Sequence, residues 1–390
     1  MMPLAIRLSS KDRLAKSLRI WHLSEQKHIL GALIYKPTYS PFLGQIWMST
    51  CRSWIYRKNN GAYDLVLESK SDCNSDHLGP RDVLVAIRAV SLNYRDRIAW
   101  RNLAGRNVDG RVPASDGSGE VLAVGAEVSQ WKPGDRVAGC FFPRWQSGRF
   151  DLAHHQYDLG GILDGMLREQ AVLHEDALVR IPSHLDPIQA STLPCAALTA
   201  WNALVVRGRL TAGESVLVLG TGGVSIFALQ IARAFGCKVF ITSSDDTKLL
   251  RAREIGASDG VNYKTHPQWS EQIWGMTESH GVDHVVEVGG PGTLEQSMRC
   301  VAASGQIALI GVLTGFGPPT TSLFPLLARN VQLDGIYVGP RDEFVRMNRF
   351  LEHHAIEPII DRVFSFDDAP AAFAHLESGQ HFGKVVISVS

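Results

Sequence analysis

The segment Ser215-Val-Leu-Val-Leu-Gly220-Thr221-Gly222-Gly223-Val224-Ser225 constrains this chain more than any other. Val-Leu-Val-Leu reads as a buried strand, and the apolar run at 226–235 that follows reads as a helix. A strand that passes through glycines straight into a helix leaves free amides and the positive end of the helix dipole at the turn, which favours a pyrophosphate. Glycine matters there because a side chain would hold the phosphates off. Ser225 stands where such fingerprints carry a third glycine, which predicts a slightly wider helix-strand crossing or a hydroxyl turned toward the phosphate. A second strand ends 22 residues after Gly220, at Thr242.

This alternation continues along the chain. From about residue 186 the strands SVLVLG, KVFIT, HVVEVGG and QIALIGV are separated by helical stretches, which implies an α/β unit with a doubly wound parallel sheet. Over residues 54–180 the pattern is short strands and turns, as in DVLVAIRAV and WKPGDRVAG, and predicts a small β-rich barrel. The C-terminal part returns to a helix and a closing strand, GKVVISV, able to rejoin the first domain. The expected organisation is one domain from 48–185 and 340–390, a nucleotide-binding domain at 186–339, and an N-terminal extension at 1–47.

A chain of 390 residues with 45% apolar content can fill two such cores. Lys plus Arg and Asp plus Glu both total 39, so no global field favours nucleic acid or an anionic membrane surface. The uncharged stretches 215–232 and 300–328 are interrupted by glycines and prolines and suit strand-turn-helix units better than a membrane span. The six cysteines are scattered without a CxxC pair, which fits a reducing, cytoplasmic setting. Residues 1–47 carry seven basic residues against two acidic ones, with Leu14, Leu18 and Trp21 at helical spacing. That segment has two readings, a mitochondrial targeting peptide or an upstream extension that ends before Met48.

The motifs AVSLNYRD (89–96), PASDGSGEV (113–121), KPGDRV (132–137), LPCAALTAW (193–201), GTGGVSIFALQ (220–230), IGASDGVNY (255–263) and HFGKVVI (381–387) together resemble a known family. It is the zinc-independent branch of the medium-chain dehydrogenases/reductases, close to the quinone-oxidoreductase-like alcohol dehydrogenases, and the similarity covers about 54–389. The resemblance implies a GroES-like β-rich catalytic domain, a Rossmann domain, a nicotinamide cofactor and a homodimer. Zinc-dependent relatives place a cysteine where Asn93 stands, a His-Glu pair where Ser115 and Asp116 stand, and a second cysteine matching Cys195. A neutral amide and a hydroxyl supply neither the charge nor the softness that zinc requires, so no metal is expected. His154 and His155, in a polar loop, read as solvated rather than metal-ligating.

Without zinc, a carbonyl or enone oxygen must be polarised by hydrogen-bond donors. The resemblance puts Asn93 and Tyr94 where the nicotinamide faces substrate, with Tyr94 a candidate proton donor. The alternative is that both hold the strand-to-helix turn. Thr199 and Trp201 are candidate wall residues, with a core role as the alternative for the aromatic, and Arg95-Asp96 reads as a structural pair. Gly220, Thr221, Gly222, Gly223, Val224 and Ser225 form the expected pyrophosphate turn, and Gly311, closing QIALIGV, is a further cofactor residue.

The second strand ends in Ser243-Ser244 instead of the carboxylate that accepts the ribose hydroxyls in NAD sites. Lys248 follows one helical turn later, and Tyr263 resembles the tyrosine that NADPH-linked relatives use beside a 2′-phosphate, whereas Asp245 and Asp246 oppose such a phosphate unless they serve the start of the next helix. The expected cofactor is therefore NADP (NADPH) in preference to NAD, and the expected acceptor of hydride is a quinone, enone or enoyl-type small molecule. Two alternatives are zinc-independent oxidation of an alcohol and a non-catalytic NADPH-binding protein.

Overall fold

A computed structural model describes residues 50–70, 77–319 and 321–389. Both readings of the segment 1–47 lie outside the described residues. The N-terminal part contains a hairpin of β1 (Cys51–Asn59) and β2 (Ala62–Lys70), followed by β3 (Asp82–Leu92), β4 (Asp116–Val124), β5 (Arg136–Gly139), β6 (Gln170–His174) and β7 (Leu178–Arg180). The nucleotide-type sheet follows as β8 (Ser215–Leu219), β9 (Lys238–Ser243), β10 (Asp259–Asn262), β11 (Val282–Glu287), β12 (Val301–Leu309) and β13 (Gln332–Gly335). The chain closes with β14 (Ile360–Ser365) and β15 (Lys384–Ser388).

The six strands β8 to β13 form an all-parallel sheet in the order β10-β9-β8-β11-β12-β13, the doubly wound arrangement anticipated from the strand-helix alternation. Its strand order reverses beside β8, and open sheets of this kind bind ligands at the carboxyl ends of the strands at that reversal. Val216, Leu217 and Val218 of β8 are fully buried, as expected for a strand covered on both faces.

The other large sheet runs β14-β15-β3-β4-β5-β7, with β6 also paired to β3. Along β3 the sequence suggests inward residues alternating at Val83, Val85, Ile87 and Ala89, but nearly every residue of this strand is buried, with only Arg88 exposed. Both faces of this strand are therefore covered, and its edges are taken up as well, since β4, β6 and β15 all pair with it. The C-terminal strand thus returns to the first sheet, with Val385 opposite Leu92.

The two sheets meet at the glycine turn. Gly222 bridges Gly383, and the Gly383 N–H donates to the Thr221 carbonyl at 2.9 Å. No helix among the described residues is long and apolar enough to cross a membrane.

Candidate functional site

A cleft of about 850 Å³ runs across this junction. Asn93, Tyr94, Cys195 and Thr199 line it, the turn from Gly220 to Ser225 lies along it, and Ser244, Lys248, Tyr263 and Gly311 also border it. Of the residues singled out from the sequence, Ser243 and Trp201 do not border this cleft. Ser243 is buried, and its Oγ accepts the Asp245 N–H at 3.3 Å. Trp201 is a core residue whose Nε1 donates to Glu343 Oε2 at 2.8 Å while its ring packs on Phe350.

The glycines of the turn have different tasks. Gly220 has φ +69°, in the left-handed region that favours glycine, and a Cβ there or at Gly222 would meet nothing within 4 Å. That open space is what an approaching phosphate needs. At Gly223, by contrast, a Cβ would lie 2.6 Å from Lys384 Cδ and 3.2 Å from Ala196 Cβ, so this glycine makes room for the protein itself. The helix Gly223–Ala234 begins here with Gly222 as its cap. Ser225 corrects a sequence expectation: its hydroxyl donates to the Leu219 carbonyl at 2.7 Å, back onto β8 and not toward the phosphate position. Gly311 is fixed by backbone crowding, since a Cβ would fall 1.8 Å from the Val288 carbonyl oxygen.

At one end of the cleft, β3 ends at Leu92 and delivers Asn93 as the cap of the helix Tyr94–Trp100. The Asn93 N–H donates to Asp96 Oδ2 at 2.8 Å, which fastens the turn. Asn93 is only 9% exposed, and its Oδ1 accepts from Lys384 Nζ at 2.6 Å; the same Nζ donates to the Leu92 carbonyl at 2.7 Å. Tyr94 Oη accepts from Arg97 Nη1 at 2.9 Å and keeps its own proton free to donate. The Arg95-Asp96 pair separates into two tasks, because Arg95 donates to Asp158 at 2.6 Å while Asp96 caps the helix. Burial raises the Asp96 carboxyl to about 6, against the pull of Arg95.

The positions that carry zinc ligands in metal-dependent relatives hold a different chemistry. Ser115 Oγ donates to Asp116 Oδ1 at 2.7 Å, and the Cys195 N–H donates to Asp116 Oδ2 at 3.1 Å. Burial, then the charge of Asp116, pushes the Cys195 thiol up, so it keeps its proton. With Lys384 already holding the Asn93 oxygen, this set does not fit a dication, which needs deprotonated, uncommitted donors. Among the described residues no group of three or more His, Cys, Asp or Glu is placed to hold a metal. His154 instead stacks on Trp145 at 5.6 Å between centroids, and His155 packs on Phe150 at 4.9 Å.

At the other end, Asp245 turns its carboxylate into its own helix, accepting the N–H groups of Thr247 and Lys248. Asp246 accepts from Asn262 Nδ2 at 2.9 Å. Lys248 Nζ donates to the carbonyls of Gly379 and His381, both at 3.0 Å, which leaves one of its three N–H groups unspent. His381 also lines the cleft, and burial, reinforced by Lys248, lowers its imidazole to about 4.

Sequence reasoning missed Lys384 and His381 as site residues, although both lie in the motif HFGKVVI. A lysine inside an otherwise apolar strand was the available signal. Tyr337 was missed too, and nothing in its surroundings along the chain marks it.

Known proteins share this architecture. Residues 79–183 match the alcohol dehydrogenase GroES-like domain family, and residues 223–353 match the zinc-binding dehydrogenase family. A zinc-type alcohol dehydrogenase-like protein of Schizosaccharomyces pombe is 43% identical over 80% of this chain and 92% of its own length. A quinone oxidoreductase-like protein 2 homolog of Nematostella vectensis is 28% identical over 83% of this chain and 86% of its own. A crystal structure from Sinorhizobium meliloti, assigned as an alcohol dehydrogenase, is 40% identical with a TM-score of 0.81, covering 87% of this chain and 99% of that one.

Proposed function

Because this chain belongs to the medium-chain dehydrogenase/reductase family and is an NAD(P)-dependent oxidoreductase acting on a small molecule, we propose that it is a zinc-independent, NADPH-linked reductase that delivers hydride to a carbonyl or an activated carbon-carbon double bond. Within it, residues 48–185 with 340–390 would form the substrate-side domain and 186–339 the nucleotide domain. The observation that carries the reading is the donor set at the substrate end of the cleft. Asn93 and Tyr94 offer N–H and O–H groups, whereas Ser115 and Cys195 offer no ionised metal ligand. The nicotinamide would supply the hydride, and the protein's part is to orient substrate, exclude water and polarise its oxygen. Tyr94, with its proton free, is placed to pass that proton to the developing oxyanion.

NADPH is favoured over NADH because both acidic residues near the ribose end are committed elsewhere. The Asp245 carboxylate caps its helix and Asp246 holds Asn262, while Ser244, Lys248 and Tyr263 border the cleft. Charge-assisted hydrogen bonds to a 2′-phosphate contribute about 1.5–3 kcal/mol each.

We also place the protein in the cytoplasm as a homodimer. Among the described residues Cys140, Cys195, Cys237 and Cys300 are free thiols. Among the described residues the terminal strand β13 has no partner on its outer edge, beside exposed Leu323, Phe324, Leu327 and Leu333.

The test is a panel of quinones, enones and simple alcohols assayed with each nicotinamide, together with kcat/KM for NADPH and NADH in the parent and in Lys248→Ala. NADPH-dependent reduction of at least one quinone or enone, with NADPH selectivity falling about tenfold or more in Lys248→Ala, is expected. A parent that favours NADH, or a variant with unchanged selectivity, refutes the cofactor assignment. Tight NADPH binding without hydride transfer to any member of the panel would point to the non-catalytic alternative.

A further inference from the structure

We infer that Lys384 is the positioning residue of this site, a buried cation that fixes the Asn93 amide and stands in for the positive charge that zinc supplies in metal-dependent relatives; this rests on the reductase reading above. The position of Lys384 is enforced from both ends. Its backbone follows Gly383, which is hydrogen-bonded to the glycine turn, and its stem passes the place a Cβ would occupy on Gly223. Its Nζ ends between the Leu92 carbonyl and Asn93 Oδ1, and the whole residue is 3% exposed.

That geometry decides which way the asparagine faces. A lysine head donates, so the atom of Asn93 that meets it must be the amide oxygen, and the NH₂ must point away. Asn93 Nδ2 is buried and makes no hydrogen bond among the described residues. Asp116 feels it as a weak donor, a contact that engages at most one of its two N–H groups and leaves the other unspent. An unspent buried donor costs free energy that the arrival of an acceptor recovers, and the oxygen of a substrate entering the cleft is such an acceptor.

The surrounding charges fit a fixed cation. Burial disfavours both the Lys384 ammonium and the Asp116 carboxylate, yet each lies in the other's field, and Asp96 adds to the field at Lys384. Asp116 is further held by Ser115 and by the Cys195 N–H. A site so arranged holds one positive charge of its own, which is a reason for it to reject a second.

The experiment uses the full chain with NADPH and a reducible quinone or enone. Asn93→Asp keeps an oxygen for Lys384 and removes the Nδ2 donor; Lys384→Met removes the anchor. Each single variant is expected to lose kcat about a hundredfold, the scale for one oxyanion donor, with KM and NADPH affinity changed by no more than about threefold. The double variant is expected to match either single one, because both changes disable the same contact, and Lys384→Arg should recover part of kcat.

Selective ¹⁵N labelling of asparagine adds a readout independent of turnover. The Asn93 side-chain signals, identified by their loss in Asn93→Asp, should shift and lose exchange protection in Lys384→Met while the melting temperature stays within a few degrees. Unchanged signals, unchanged kcat in Lys384→Met, or multiplicative losses in the double variant would overturn the proposal. An Asn93→Asp variant of full activity would instead refute the donor role assigned to Asn93 in the reductase reading. Should Lys384→Met not fold, Lys384→Gln, which keeps a donor without the charge, is judged by the same outcomes.

Discussion

Replacing the two central glycines of the turn by alanine, one at a time, separates what the cofactor needs from what the fold needs. At Gly222 the backbone is extended (φ −79°, ψ 177°) and an added methyl meets nothing within 4 Å. Alanine is a poorer helix cap than glycine by about 0.5–1 kcal/mol, but the substitution lowers the entropy of the unfolded chain by an amount worth about 0.4–1 kcal/mol. Gly222→Ala should therefore leave apoprotein stability within about 0.5 kcal/mol of the parent. Its methyl projects into the space left for phosphate, so the NADPH dissociation constant should rise at least tenfold, about 1.4 kcal/mol. At Gly223 the methyl would lie 2.6 Å from Lys384 Cδ. That stem cannot swing aside freely, because its Nζ is held at Leu92 and Asn93. Overpacking of this kind costs about 1–3 kcal/mol, which the entropic gain offsets only in part. Gly223→Ala should lose roughly 1–2 kcal/mol, a drop of several degrees in Tm at about 2–4 °C per kcal/mol, and kcat should fall with it. Thermal melts of the apoproteins and fluorescence titration with NADPH decide the matter. If Gly222→Ala melts as low as Gly223→Ala, or if Gly223→Ala melts like the parent, the division of labour between these glycines is refuted.

The purified protein should contain well under one zinc per chain by elemental analysis and keep its activity through dialysis against a chelator; stoichiometric zinc lost together with activity would contradict the reading of Asn93, Ser115 and Cys195. His381, lowered by burial to about 4, stays neutral in the folded chain while the unfolded chain takes up a proton near 6.5. The folded state accordingly loses stability as pH falls from about 6.5 to about 4, by at most about 3 kcal/mol. Urea unfolding at pH 7 and pH 5 should show this slope in the parent and a flatter one in His381→Gln, and equal slopes would exclude the assignment.

The nucleotide-type sheet was legible because its strands are apolar on both faces and its turn needs glycine, so local pattern and tertiary demand coincide. The pattern of short strands and turns carried the β-rich part, and the resemblance gave meaning to Asn93 and Ser115 standing where zinc ligands stand in metal-dependent relatives. What stayed hidden depends on where side chains go once the chain is folded. Ser243 and Ser244 are equivalent in sequence, yet only Ser244 reaches the cleft, since Ser243 is the buried last residue of β9 and Ser244 lies past the strand end, in the turn to the next helix. Asp245 and Asp246 opposed a phosphate on paper, and only the folded chain shows their carboxylates turned to the helix start and to Asn262. Lys384 lies 291 residues from Asn93, and no local pattern reports a contact of that span.

The bridge between Gly222 and Gly383 sets a rule for how this chain can change length. It fixes the start of β15 against the phosphate-binding turn, so the last strand is metered from the cofactor end and not from the C-terminus. A residue deleted or inserted between Gly379 and Gly383 has to be absorbed within that short stretch; otherwise the bridge breaks and β15 slides by one position, which turns every side chain of a strand to the opposite face. The Lys384 ammonium would then be directed away from Asn93. The loop before β15 is therefore a place where substitutions of similar size are tolerated but changes in length are not.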